Sequence, residues 1–374
     1  MSISHVSPTV SKLLPLLIPG PTKTPGDELW ETLAKGDPTF LAELRREGLT
    51  PLTYMQLLSQ GRIRVVNPTL LSALEHDYYC LVQAAARQEQ EALPVFQALN
   101  EGGVEFILLK GADLRLRVYP DPAQRPMADL DILIPPQQLW QAKAVMSNLG
   151  YRLYPHSLDP RPGYRQRFGH ALDFNPEEGR YLAVDLHWRI LAAGDFYRLS
   201  YSFLRSRAVS LDYQGSTVWL LAPEHLLLHL CLRVYNDTFS LFFFIDLALA
   251  ISKLNLDWSL FLQETSKLHC QRPAYLILID LSRLFPWAVP GWVLAELAKY
   301  HPRWYERVAL SYRMRYLTLN FPMLYHHYPP REWAAYYWGK LWPEPAYLAA
   351  NYGRPDRIAY LRKFLTILFS SDKI

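Results

Sequence analysis

Apolar residues recur every three or four positions through the first hundred residues, tighten to alternation in the middle, and return to helical spacing towards the end. Leu29, Leu33, Phe40, Leu41 and Leu44 mark the first helical stripe, closed by Gly48 and Pro51. Pro68 opens a longer run with Leu70, Leu71, Leu74, Tyr78, Leu81, Ala84 and Ala85. It continues to Leu99, with a kink or break expected at Pro94, and ends at Gly102-Gly103. Phe106-Ile107-Leu108-Leu109 then predicts a short buried strand, followed by a helix over 112–119 and a loop holding Pro120, Pro122 and Pro126. A second strand is predicted over 129–134, and Pro135-Pro136 opens a helix with Leu139, Ala142, Val145, Met146 and Leu149 on one stripe, stopped by Gly150. A strand over 151–154 and an exposed basic loop over 155–167 precede a hairpin of 170–174 and 181–188. From about residue 195 the pattern is helical again, through 258–284 and 292–310 to a basic amphipathic helix over 356–369. Three portions follow: a helical region 1–95, a mixed core 96–195 and a helical region 196–374.

The chemistry concentrates in the core. Side chains alternate faces along a strand, so Leu130, Ile132 and Ile134 point into a core while Asp129 and Asp131 share the other face. Two neighbouring carboxylates repel unless a cation sits between them, and Mg²⁺ is a hard ion that binds through one or two carboxylates plus phosphate oxygens. Taken alone, so short and common a pair reads first as a solvent-facing strand end. Its surroundings weigh the other way. Gly111 lies where strand passes to helix, so backbone N–H groups of Gly111 and Ala112 can face an anion, and Lys110 and Arg125 bracket the loop with positive charge. In the later hairpin Asp185 lies on the polar face of a buried strand with His187 beside it; His170 and Asp173 are weaker candidates on its partner.

The segments LLKGADL, Arg125, DLDILI and VDLHW resemble the DNA polymerase β-type nucleotidyltransferase superfamily and, more closely, a large, largely uncharacterised bacterial nucleotidyltransferase family. The resemblance runs from about Trp30 to near the end of the long helical part. It implies an α/β (α+β) fold, a mixed β-sheet core flanked by helical N- and C-terminal regions. It also implies Mg²⁺ held by Asp129, Asp131 and Asp185, and nucleotide contacts from Lys110, Gly111, Ala112 and Arg125. A nucleoside monophosphate would pass from an NTP to a hydroxyl acceptor (small molecule, protein side chain or RNA end), with His187 on the acceptor side or orienting Asp185. Where the superfamily has Gly-Ser, this chain has Gly111-Ala112 and lacks that hydroxyl.

Bulk properties change little in this picture. The 374 residues, 50% hydrophobic and 20% charged, suit an ordinary globular chain, and a net charge of +4 gives little support to a dedicated nucleic-acid binder; there is no DNA-binding motif. Cys80, Cys231 and Cys270 have neither disulfide nor zinc spacing, which fits a reducing, cytoplasmic setting. The apolar stretch from Leu13 to Pro19 is short and proline-broken, unlike a signal peptide, and no run reaches the length of a membrane span. His225 and His229 stand four apart without an H-E-x-x-H pattern and are expected to pack; Asp246 is expected to be structural. Two other functions compete: a nucleotide or metabolite sensor without turnover, and a carboxylate hydrolase, disfavoured because same-face neighbours suit a metal better than the opposed pair of a glycosidase.

Overall fold

The computed structural model describes residues 8–18, 25–177, 179–190, 199–236, 240–301 and 330–362. The N-terminal part is helical: α1 (Pro8–Ser11), α2 (Leu14–Leu17), α3 (Asp27–Lys35), α4 (Pro38–Glu47), α5 (Thr50–Ser59) and the long α6 (Pro68–Glu101). Local chemistry sets the helix starts. Asp37 Oδ1 accepts from Thr39 N and Asn67 Oδ1 accepts from Thr69 N and Leu70 N, each just ahead of a proline at the first helical position. The break expected at Pro94 does not occur. That proline costs α6 one ladder hydrogen bond, but Ala92, Val95, Phe96 and Leu99 around it are buried against the sheet, and packing carries the helix through.

The middle of the chain supplies β1 (Ile107–Leu108), α7 (Lys110–Arg117), β2 (Asp129–Leu133), α8 (Leu139–Asn148), β3 (Tyr151–Leu153), α9 (Tyr164–Phe168), β4 (Ala171–Pro176), β5 (Ala183–His187), α10 (Tyr201–Arg205), β6 (Val209–Tyr213) and β7 (Ser216–Leu220). Among the described residues the strands form one seven-stranded mixed sheet in the order β3-β4-β5-β2-β1-β7-β6. β2 runs antiparallel to β1 and parallel to β5, so β2 and β5 lie side by side in the middle of the sheet. The fold is α/β.

Two stretches differ from the sequence expectation. Residues 209–220, expected to be helical, form a hairpin whose β7 pairs parallel with β1. Its two turn residues, Gln214 (φ 52°) and Gly215 (φ 81°), both adopt the left-handed conformation that lets a two-residue turn match strand twist. The segment 155–167, expected to be an exposed loop, contains a 3₁₀ turn (Pro155–Ser157) and enters α9, where Phe168 and Tyr164 pack with Tyr336.

The helices that follow include α11 (Pro223–Asn236), α12 (Leu241–Lys253), α13 (Trp258–Lys267), α14 (Gln271–Leu284), α15 (Gly291–Ala298), α16 (Pro330–Leu341) and α17 (Pro345–Tyr352). The ends of the helical runs expected over 292–310 and 356–369 lie outside the described residues. One face of the sheet (Leu108, Leu130, Ile132, Val184, Leu186) buries against α6 and α8 through Phe96, Leu99, Ala142 and Met146. The other meets a larger core of N- and C-terminal helices through Ile107, Leu109 and Leu133. Among the described residues no helix is long and apolar enough to cross a membrane.

Candidate active site

The alternation of β2 sends Asp129 and Asp131 to the face that meets the C-terminal helices. The parallel pairing with β5 then sets Asp131 opposite Asp185 and Leu133 opposite His187. On the far side of β5, antiparallel β4 places Asp173 opposite Asp185 and Ala171 opposite His187. Four carboxylates from three adjacent strands thus share one face. Asp131 is 3% exposed, so this is no solvent-washed strand end.

Each carboxylate is held differently. Asp131 Oδ1 receives hydrogen bonds from Lys110 Nζ (2.5 Å) and His187 Nε2 (2.8 Å). Burial alone would raise its pKa, but the His187 hydrogen bond and the Lys110 charge outweigh burial and hold it well below the usual carboxylate range. Asp129, with burial and the Asp131 charge against it, is pushed up. Asp185 has burial and then Asp173, Asp129 and Asp131 against it, and rises to about 8. Asp173 accepts from Ser157 Oγ (2.7 Å) and from His156 Nε2; burial opposes ionisation, but these bonds keep it ionised and its pKa low.

This donor set fits a divalent cation. Asp131, Asp185 and His187 offer ligand atoms within 4.8 Å of one another. A hard ion takes oxygen in preference to nitrogen, and the mutual repulsion that raises Asp129 and Asp185 is what a cation between them would relieve.

The turn from β1 into α7 forms the opposite wall. Leu109 N donates to Asp131 O (3.0 Å), tying the turn to β2. Lys110 then takes φ 48°, the left-handed region that L side chains seldom adopt, and α7 begins with no side-chain cap. Its first N–H groups, at Gly111 and Ala112, are therefore available to an anion. The glycine has a second reason. A Cβ on Gly111 would meet Met127 Cγ at 3.0 Å, so the close approach here is that of Met127, two residues ahead of Asp129.

Arg125 lies elsewhere than expected. It is buried, and Nε and Nη2 donate to Asp246 Oδ1 and Oδ2, both at 2.8 Å. A guanidinium so engaged is not a free phosphate clamp; full burial makes a paired carboxylate the lower-energy partner. His187 orients Asp131, not Asp185. The α11 histidines are both buried, as packing predicts, but differently. His225 sits beside Glu264 (2.5 Å). His229, 2% exposed, stands among Lys110, Arg233, Asp131 and His187, where burial followed by the Lys110 and Arg233 charges depresses it to about 3. Its Nδ1 has no hydrogen-bond partner among the described residues. The i, i+4, i+8 spacing of His225, His229 and Arg233 was the visible sign of a polar stripe on an otherwise apolar helix.

An uncharacterised nucleotidyltransferase family matches residues 35–286, more than half of the 374. The chain belongs to that family. No curated protein matches this nucleotidyltransferase family member. Among solved structures it is similar to the antibiotic-resistance factor ANT(2'')-Ia, with 14% identity and a TM-score of 0.35, covering 53% of this chain and 98% of that one. It is also similar to an antigenic nucleotidyltransferase-like protein from Paracoccidioides brasiliensis, with 16% identity and a TM-score of 0.34, covering 57% and 93%.

Proposed function

We propose that this chain transfers a nucleoside monophosphate from an NTP to a hydroxyl acceptor and releases pyrophosphate. The observation that carries the reading is Asp131 in register with Asp185, with Asp129 on the same face, in a chain of a nucleotidyltransferase family. The acceptor oxygen forms a bond to the α-phosphorus, the bond from that phosphorus to the β-bridging oxygen breaks, and pyrophosphate leaves with the electron pair. Asp185, opposite Asp131 across the β2–β5 pair, takes the acceptor proton as general base. Lys110 and the N–H groups of Gly111 and Ala112 bind the phosphate oxygens, Lys110 turning from Asp131 to do so. His187 keeps Asp131 ionised and oriented, and Asp173 lies opposite Asp185 on β4. Mg²⁺ would be held by Asp129, Asp131 and Asp185 and would supply neutralisation of phosphate charge and acidification of the acceptor hydroxyl.

A binding protein without turnover is the second reading, favoured by one observation: the Gly111-Ala112 turn lacks the hydroxyl that a Gly-Ser turn would offer a phosphate.

Calorimetric titration with each of the four NTPs, with and without Mg²⁺, tests the site on wild type and on the Asp129→Ala, Asp131→Ala double variant. Mg²⁺-dependent binding that vanishes in the double variant supports the site, and pyrophosphate release then separates transfer from mere binding. Absence of binding by any NTP at millimolar concentration would remove the main support for the transferase reading and favour a scaffold or a sensor of another ligand.

A further inference from the structure

The segment between α7 and β2 carries no regular structure beyond a 3₁₀ turn at Pro122–Gln124, yet it is gripped at close intervals. Tyr78 OH donates to Asp121 Oδ2 (2.6 Å), and Asp121 Oδ1 accepts from Ala123 N. Arg115 Nε donates to the Arg125 carbonyl (2.7 Å), and Gln88 links Arg115 Nη1 (2.8 Å) to the Met127 carbonyl (2.7 Å). The deepest grip comes from a helix 121 residues further along the chain. Asp246 on α12, 0% exposed, takes both arms of the Arg125 guanidinium and a third hydrogen bond from Tyr119 OH (2.8 Å), while Phe242 of the same helix lies under the guanidinium at 4.7 Å.

The consequence reaches both walls of the site. Two residues beyond Arg125, Met127 seats against Gly111 at van der Waals limits, and two residues beyond that Asp129 begins β2. The β1–β2 pairing and the Leu109–Asp131 bond fix the base of the turn at Asp131, and on its Gly111 side the separation from Asp129 is set by where the Arg125–Met127 segment is held. A buried, bidentate ion pair is a costly way to add stability but a specific way to fix a position, because a small displacement leaves two charges unpaired in a low-dielectric interior.

We propose that Asp246 is a positioning residue of the candidate site: through Arg125 it holds the 120–128 segment so that Met127 spaces the Gly111 side of the turn from Asp129. The nucleotide arm of the proposal rests on the nucleotidyltransferase reading above; the spacing itself does not.

The test compares wild type, Asp246→Asn, which keeps the shape and removes the charge, and Tyr119→Phe, which removes one hydrogen bond and leaves the ion pair. Hydrogen exchange on the whole chain is the primary readout. In Asp246→Asn, amides of 120–128 and 110–113 are expected to exchange at least about tenfold faster, with the β6–β7 hairpin unchanged; Tyr119→Phe should lie near wild type. Uniform acceleration across α11, α12 and α14 without a specific effect at 110–113 would show a merely structural pair and overturn the proposal, as would no change at all. If Asp246→Asn does not fold, Asp246→Glu replaces it, keeping the charge but shifting it by one methylene. The second readout is calorimetry with Mn²⁺ alone and with Mg²⁺–ATP. Mn²⁺ affinity should stay near wild type, since the carboxylates remain on their strands, while Mg²⁺–ATP affinity falls about ten- to a hundredfold from misplacement of the turn. Parallel loss of both affinities would overturn the selective role. If wild type binds none of the four NTPs, the transferase reading fails, and the exchange pattern alone still decides whether Asp246 sets the spacing.

Discussion

Asp131 and Asp185 face each other across one strand pair and are perturbed in opposite directions. Asp131 is stabilised as an anion by His187 and Lys110 against its burial; Asp185 is opposed by its burial and by three neighbouring carboxylates. Linkage turns this contrast into a measurable slope. An unfolded aspartate titrates near 4, whereas folded Asp185 keeps its proton up to about 8. Between those values the folded state binds more protons than the unfolded state, so stability falls as pH rises. Asp131 has the reverse sign: its contribution is present above about 4 and is lost in acid, so it adds no slope across this window. Buried His170 and His229, held neutral down to about 4 and about 3, give the opposite slope below about 6.5. The Asp185 contribution is therefore read as a difference: the thermal stability of metal-free wild type relative to Asp185→Asn should fall between pH 5 and 8. Equal slopes in the two proteins would mean that the carboxylates do not strain one another.

At the scale of elements, the β1–α7 turn and the loop entering β2 act as a pair through Gly111 and Met127. Gly111→Ala would bring Cβ to 3.0 Å from Met127 Cγ and 3.1 Å from its sulfur. Because methionine is adaptable and alanine is favoured in a helix, the net stability change should stay within about 1 kcal/mol. Nucleotide affinity should nevertheless weaken, since the displaced side chain lies two residues from Asp129. Urea unfolding combined with Mg²⁺–NTP calorimetry checks this, and wild-type affinity in the variant would refute the coupling. The elements themselves were unequally legible. The D-x-D strand and the V-D-L-H-W strand show their faces in plain alternation. The β6–β7 hairpin has alternation too, around Gln214-Gly215, but only Gly215 marks the turn by composition; Gln214 takes its left-handed conformation from the pairing of the strands.

For the whole molecule, the N-terminal apolar stretch is a structural part of the core. Val10, Leu13, Leu14, Leu16, Leu17 and Ile18 are all buried, and Gln60 Nε2 donates to the Leu16 carbonyl. At roughly 1.5–3 kcal/mol per buried aliphatic side chain, their loss removes on the order of 10 kcal/mol. That is comparable with the whole stability of a typical domain. Deletion of residues 1–18 should yield a chain that aggregates or melts far below wild type. Soluble expression with an unchanged melting temperature would show that the segment contributes nothing to the core.

The sequence by itself determined which residues could do chemistry and which way they point. Alternation places Asp129 and Asp131 on one face of their strand and Asp185 on the polar face of its own, because the pleat leaves no other choice. Helical spacing marks the two flanking regions, and the segment motifs carry the family resemblance. Tertiary structure decided the partners. Parallel pairing of β2 with β5 put Asp131 against Asp185, and His187 against Asp131. Packing of α11 and α12 onto that face brought in His229 and drew Arg125 to Asp246, away from the phosphate role that its position in the chain suggests. The reason is physical: periodicity reports the orientation of each side chain on its own element, whereas the partner of a buried charge is chosen by whichever opposite charge the packing brings within hydrogen-bond reach.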